Sequence, residues 1–350
     1  MTIHLKKLQK QTIVITGATS GIGLTTARLA ARRGVPRLVL AARNGDALDQ
    51  LATELRALGA QVATVRADVG KEADVAQIAG TAISKFGHFD TWVNNAGISV
   101  YGRLDQIDTD DARRLFDTNF WGVVYGSLEA VRHFRKQGAG ALINLGSELS
   151  ETPIALQAMY AASKHAVKGF TNSLRVELEM ERLPVSVTLI KPAGIDTMFT
   201  AHAKNYMEQE PALPPPVYAP EIVADAILHC AAHPKRELFV GAAAKATAAS
   251  AYHTPRLLDR ILRTVMVSEQ KDPQPAPANR RDALYAYDPN TELHERSGKP
   301  ISVNETSSYT ESALRPSPLK NVLIGGGVLL AAYSLMRGEQ SGRTPATANS

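Results

Sequence analysis

The chain has 350 residues, 44% hydrophobic and 21% charged; these globular proportions exclude a fully disordered, collagen-like or multi-span membrane protein and allow a sizeable core. Its formal charge of +5 divides as +3 over residues 1–255 and +2 over the rest, and without a dense basic stripe or aromatic platform no nucleic-acid partner is expected. The single cysteine, Cys230, cannot close an intramolecular disulfide or a thiolate zinc site and fits a reducing compartment.

The N-terminus is basic but offers only a short apolar run before a glycine-rich turn, too little for a signal peptide, so a cytoplasmic protein is expected. Short β-branched runs then alternate with helical patterns: TIVIT (12–16), RLVLA (37–41), QVATVRA (61–67), DTWVN (90–94), ALINL (141–145), VSVTLI (185–190) and ELFV (237–240). Most are apolar throughout, as strands buried on both faces must be. They predict an α/β fold, a Rossmann-like doubly wound parallel sheet of about seven strands in a single catalytic domain, with ligands beyond the strands' carboxyl ends. Residues 245–267 read as further helix broken at Pro255, which places the domain at 8–267.

After the first run comes Thr16-Gly17-Ala18-Thr19-Ser20-Gly21-Ile22-Gly23. Glycines between a strand and a helix let the backbone approach a pyrophosphate, and the helix N-terminus offers free N–H donors. The second run ends Ala41-Ala42-Arg43-Asn44. It has no carboxylate to take a ribose 2′-hydroxyl, whereas Arg43 can pair with a 2′-phosphate, so NADP is expected over NAD. Tyr160 and Lys164 stand one helical turn apart, so an ammonium could draw the phenol's pKa down from about 10.

The glycine spacing, together with Ser147 thirteen residues before Tyr160, resembles the short-chain dehydrogenase/reductase family over roughly residues 8–245. The resemblance implies further contacts. Asp68 and Val69 would meet adenine; Asn95, Ala96 and Gly97 form, with Asn94, the family's NNAG motif; Pro192, Ile195 and Thr197 belong to a PGxxxT-like element touching the nicotinamide carboxamide, with Ala193 where glycine is usual. Ser147 would hydrogen-bond the substrate oxygen, Tyr160 would act as general acid or base, and Lys164 would bind the nicotinamide ribose. Asn119 would hold a water that relays the proton. The implied activity is hydride transfer between NADP(H) and a carbonyl or secondary alcohol, the implied assembly a homo-oligomer. A cofactor-binding scaffold without turnover is the alternative, disfavoured because Asn119, Ser147, Tyr160 and Lys164 are all present.

After the sixth run, Met198, Phe199, Tyr206, Met207, Leu213, Val217 and Tyr218 suggest a lid suited to an apolar substrate. His229 and His233 lack a third ligand, so no metal is expected, and Cys230 reads as a core residue. Residues 268–318, with proline at 273, 275, 277, 289, 300, 316 and 318, read as a loosely ordered linker. The hydrophobic segment 319–337 contains an uncharged window of 16 residues between Lys320 and Arg337. It is apolar on all sides, about 24 Å long as a helix, and is expected to attach to a membrane with snorkelling cations, a docking helix being the alternative.

Overall fold

The computed structural model describes residues 3–315. The seven β-branched runs become strands β1 (Thr12–Thr16), β2 (Arg37–Ala42), β3 (Gln61–Arg66), β4 (Thr91–Asn94), β5 (Gly140–Leu145), β6 (Val185–Pro192) and β7 (Glu237–Val240). They form one parallel sheet ordered β7-β6-β5-β4-β1-β2-β3. The crossovers are helices: α1 (Gly21–Arg32), α2 (Gly45–Ala57), α3 (Glu72–Phe86), α4 (Thr109–Phe116), α5 (Gly122–Gln137), α6 (Ala158–Met180) and α7 (Pro220–Ala232). On one face Ile78 and Ala82 of α3, Phe134 of α5 and Leu174 of α6 meet Val39, Val65, Trp92 and Val187 of the sheet; α1 packs against α7. Burial on both sides is why these strands carry no polar alternation.

Strand order reverses between β1 and β4, which opens a crevice at their carboxyl ends. A buried polar chain fixes the far wall of that crevice. Trp92 Nε1 donates to Asn94 Oδ1 (2.7 Å), Asn94 Nδ2 to Asn144 Oδ1 (2.9 Å), and Asn144 Nδ2 to Thr171 Oγ1 (3.0 Å), tying β4 and β5 to α6. Each buried amide finds a partner, as it must at low dielectric.

The chain after β7 departs from expectation. Helices α8 (Ala242–His253) and α9 (Pro255–Ile261) do divide at Pro255, but residues 268–307 are not a loose linker; they belong to the same compact unit as the sheet. Lys271–Pro275 pairs antiparallel with Gln209–Pro211, and Val303–Asn304 pairs with Val217–Tyr218, which in turn pairs with Gly194–Ile195. The physical reason is anchoring by ions and main chain, together with Ala283 and Leu284, which are buried in an apolar cluster with Ile98, Val100 and Leu115. Arg280 bonds Glu210 (2.9 Å) and the carbonyls of Thr200 (2.7 Å) and Ala203 (2.5 Å), and proline suits such extended edge chain. Ser308–Leu314 is a short helix in a separate unit. Segment 319–337 lies outside the described residues, among which no helix is long and apolar enough to cross a membrane.

Candidate active site

The Gly-rich turn joins β1 to α1 at the crevice. Gly17 and Gly21 have φ of +64° and +50°, and a Cβ on Gly23 would lie 2.0 Å from the Gly17 carbonyl oxygen, so side chains are excluded by both backbone and space. Asn95 braces the turn by donating from Nδ2 to the Thr16 carbonyl (2.9 Å). Ser20 does not cap α1. Gly21 N–H donates to the His294 carbonyl (2.9 Å), while the amides of Ile22 and Gly23 meet no acceptor among the described residues, a place for an anion. Gly17, Thr19, Ser20, Gly21, Ile22, Arg43, Asp68, Val69, Asn95, Ala96, Gly97 and Thr197 line one cleft; Gly23 supports it from behind. The Thr118 hydroxyl and one Glu292 carboxylate oxygen are buried there without a partner among the described residues. Such a cradle, with orphaned polar groups and open amides, fits a dinucleotide.

Residues 283–297 form a strap across this cleft. Leu293 N–H donates to the Thr19 carbonyl (2.7 Å), Arg28 pairs with Glu295 (3.1 Å), and the Ser297 amide bonds Asp196 (3.1 Å). The strap also engages Arg43, which donates to the carbonyls of Ala283 (2.6 Å) and Leu284 (3.4 Å). Burial, and then the neighbouring Arg114, lower its pKa. Asp68 is committed as well, to Arg114 (2.7 Å) and the Gly70 amide (3.0 Å). Burial raises the carboxyl of Glu292, against the Thr19 hydroxyl and Arg43, which lower it.

A second cavity, about 1380 Å³ and open to solvent, adjoins the first. Ile22, Asn95, Gly97, Thr197 and Phe199 line both. Ser147, at the end of β5, and Tyr160 and Lys164, one turn apart on α6, line the second, as do Pro192 and Ile195 beyond β6. Tyr160 lies close enough to Ser147 for that side chain to favour the phenolate. Burial drives the phenol's pKa up, against the expected lowering: Lys164 Nζ lies 5.6 Å from the ring centroid and donates to the Leu145 carbonyl (2.9 Å). Burial also pushes the Lys164 ammonium down to about 8.

Asn119 sits in a π-helical turn, Asp117–Trp121, between α4 and α5, a distortion that often marks functional sites. Its Oδ1 accepts from Ile98 N–H (2.8 Å) and its Nδ2 donates to the Ile98 carbonyl (2.9 Å) and Ser163 Oγ (3.1 Å). Both side-chain donors are spent, and the side chain clamps the loop after β4 to α6.

The apolar wall differs from the expected lid. Phe199 and Leu213 contribute, but so do Leu149, Ile154, Leu258, Ile261, Leu262 and Met266. Tyr206 instead donates to Asp111 (2.7 Å), and Val217 and Tyr218 serve the small sheet. Tyr101 and Glu148 also line the cavity and went unread in the sequence; only adjacency to Ser147 could have flagged Glu148. His229 and His233 stack at 4.3 Å, no group of three or more His, Cys, Asp or Glu among the described residues is placed to hold a metal, and burial raises the Cys230 thiol to about 12.

Comparison with known proteins agrees with this arrangement. Residues 11–208 match the short chain dehydrogenase family. The chain is 46% identical over 325 residues to the uncharacterized oxidoreductase YxnA of Bacillus subtilis, covering 92% of this chain and 90% of that protein. A short chain dehydrogenase/reductase from Burkholderia phymatum in complex with NAD aligns with TM-score 0.65 at 27% identity, over 72% of this chain and 96% of that one. An alcohol dehydrogenase from Thermococcus sibiricus, complexed with 5-hydroxy-NADP, aligns with TM-score 0.57 at 25% identity, over 65% and 95%. On the strength of these matches, and of the sheet and cleft they coincide with, the chain belongs to the short-chain dehydrogenase family of oxidoreductases.

Proposed function

We propose that the protein transfers a hydride between NADP(H) and an apolar ketone or secondary alcohol. The observation that carries the reading is that Ser147, Tyr160 and Lys164 line one apolar cavity that shares a wall with the dinucleotide cleft. The nicotinamide supplies or accepts the hydride. Ser147 orients and polarises the substrate oxygen, and Tyr160 gives that oxygen its proton in reduction or takes it in oxidation. Lys164 holds the nicotinamide ribose and supplies the cation beside the Tyr160 ring, and its own lowered pKa suits it to pass the proton on toward solvent. Asn119 positions both through Ile98 and Ser163. Thr19, Ser20, Ile22, Asp68, Val69, Asn95, Ala96, Gly97, Pro192, Ile195 and Thr197 complete the cofactor site around Gly17, Gly21 and Gly23. A homo-oligomer, and membrane attachment through 319–337, belong to the same reading.

The test is Tyr160→Phe. Turnover should fall by about 10²- to 10⁴-fold, the usual worth of a positioned acid or base. NADPH affinity, followed by fluorescence titration, should stay within about threefold, because the hydroxyl serves the chemistry and not the dinucleotide. Retention of most of the wild-type kcat on a confirmed substrate would remove Tyr160 from the mechanism.

A further inference from the structure

The substrate cavity is apolar over most of its wall, and only two charged side chains line it, Lys164 and Glu148. Lys164 is committed to the Leu145 carbonyl (2.9 Å). Among the described residues nothing is committed to the carboxylate of Glu148: no ion pair and no hydrogen bond reaches it, and the bonds this residue does accept, from the Glu151 amide (3.0 Å) and Thr152 Oγ1 (3.5 Å), go to its main-chain carbonyl. Other polar groups there are satisfied within the protein. Gln157 accepts from Ser99 (3.0 Å) and donates to Gln270 (2.8 Å). The exception is Tyr101, fully buried, whose hydroxyl has no partner among the described residues.

Glu148 directly follows Ser147 and is near enough to Tyr160 for its charge to raise the phenol's pKa. A group held by Glu148 would therefore lie in the same cavity as the reacting carbon. Burial alone drives its own carboxyl up to about 7, with no cation opposing. A carboxylate left unpaired in an apolar cavity is costly unless the ligand neutralises it.

We propose that Glu148 determines substrate specificity and that the substrate is an apolar amino alcohol or amino ketone, its protonated amine paired with Glu148 beside the carbinol held by Ser147 and Tyr160. An ammonium has three donors and no acceptor, which suits an unpaired carboxylate. A neutral hydroxyl substituent would leave the carboxylate's charge unpaired. The proposal rests on the oxidoreductase reading above for the place of the carbinol.

Three alcohols of nearly equal shape test it: 2-amino-1-phenylethanol, 1-phenylethane-1,2-diol and 1-phenylpropan-1-ol. Their binding to the NADP⁺-loaded protein is measured by calorimetry, which needs no turnover, and their oxidation is followed at 340 nm. The amine should bind at least about tenfold more tightly than 1-phenylpropan-1-ol, as expected of a desolvated charge-assisted bond. In Glu148→Gln that ratio should fall to within about threefold while affinity for 1-phenylpropan-1-ol stays within threefold, which also reports that the variant is folded. Equal or weaker binding of the amine in wild type, a diol that outranks it, or a preference that survives in Glu148→Gln each overturns the proposal. Amine preference without oxidation of any of the three would count against the oxidoreductase reading and leave the assignment of Glu148 standing.

Discussion

At the scale of single residues, cofactor preference is set where the adenosine end of the cleft meets Arg43. No carboxylate ends β2, and Arg114 stands close enough to disfavour the charge on Arg43. A 2′-phosphate relieves that repulsion and can take a two-pronged bond from Arg43, so NADPH should bind about tenfold or more tightly than NADH, the worth of one charge-assisted contact. Fluorescence titration of both nucleotides decides it. Equal affinity would overturn the prediction and point to Glu292, whose buried carboxylate oxygen lacks a partner among the described residues, as a group reading ribose hydroxyls; Glu292→Gln would then weaken NADH. The sequence makes Arg43, Ser147, Tyr160 and Lys164 legible because each sits at a fixed offset from a strand end or along one helix. It does not reveal that Arg43 is bonded to carbonyls 240 and 241 residues away, nor that the donors of Asn119 are spent on Ile98 and Ser163. Such partners depend on which loops the fold brings together.

At the scale of elements, the sheet could be read from the sequence because strands buried on both faces must be apolar throughout, and all seven runs became strands. The strap could not, because its anchors are scattered main-chain and side-chain hydrogen bonds, ion pairs and the buried Ala283 and Leu284, with no periodicity to detect. One of those anchors titrates. His202 Nε2 bonds Thr291 Oγ1 (2.7 Å), and the His202 carbonyl accepts from Ala283 N–H (2.8 Å). Burial, and then Arg43, push the imidazole from 6.5 down to about 4, with Asp288 opposing. Since the folded value lies below the unfolded one, protonation favours release. The His202 contribution is full above about pH 6.5 and is lost as pH falls toward 4. Hydrogen exchange of amides 283–295, corrected for the intrinsic pH dependence of exchange, should show protection declining across that window. His202→Gln, which cannot titrate, should flatten the decline. Protection that stays constant from pH 7 to 4 in wild type would show that His202 does not latch the strap.

At the scale of the whole molecule, every residue of the proposed site lies within the compact unit that ends at Ser307. Segment 319–337 has an uncharged window of 16 residues between Lys320 and Arg337. As a helix it would extend about 24 Å, against a hydrocarbon core of about 30 Å. Snorkelling by the flanking cations and local thinning can make up the difference at modest cost, whereas leaving so many apolar side chains in water cannot be offset by the segment itself. Membrane attachment is therefore expected of the full chain, and its removal should leave catalysis intact. Cells expressing the full chain and a version ending at Ser317 are lysed and fractionated. The full chain should sediment with membranes and be released by detergent but not by high salt, and the shorter chain should stay in the high-speed supernatant with kcat unchanged. Both chains in the supernatant without detergent would overturn attachment and make the segment a docking helix on protein. A shorter chain that lost activity would show instead that the segment supports the fold of the site.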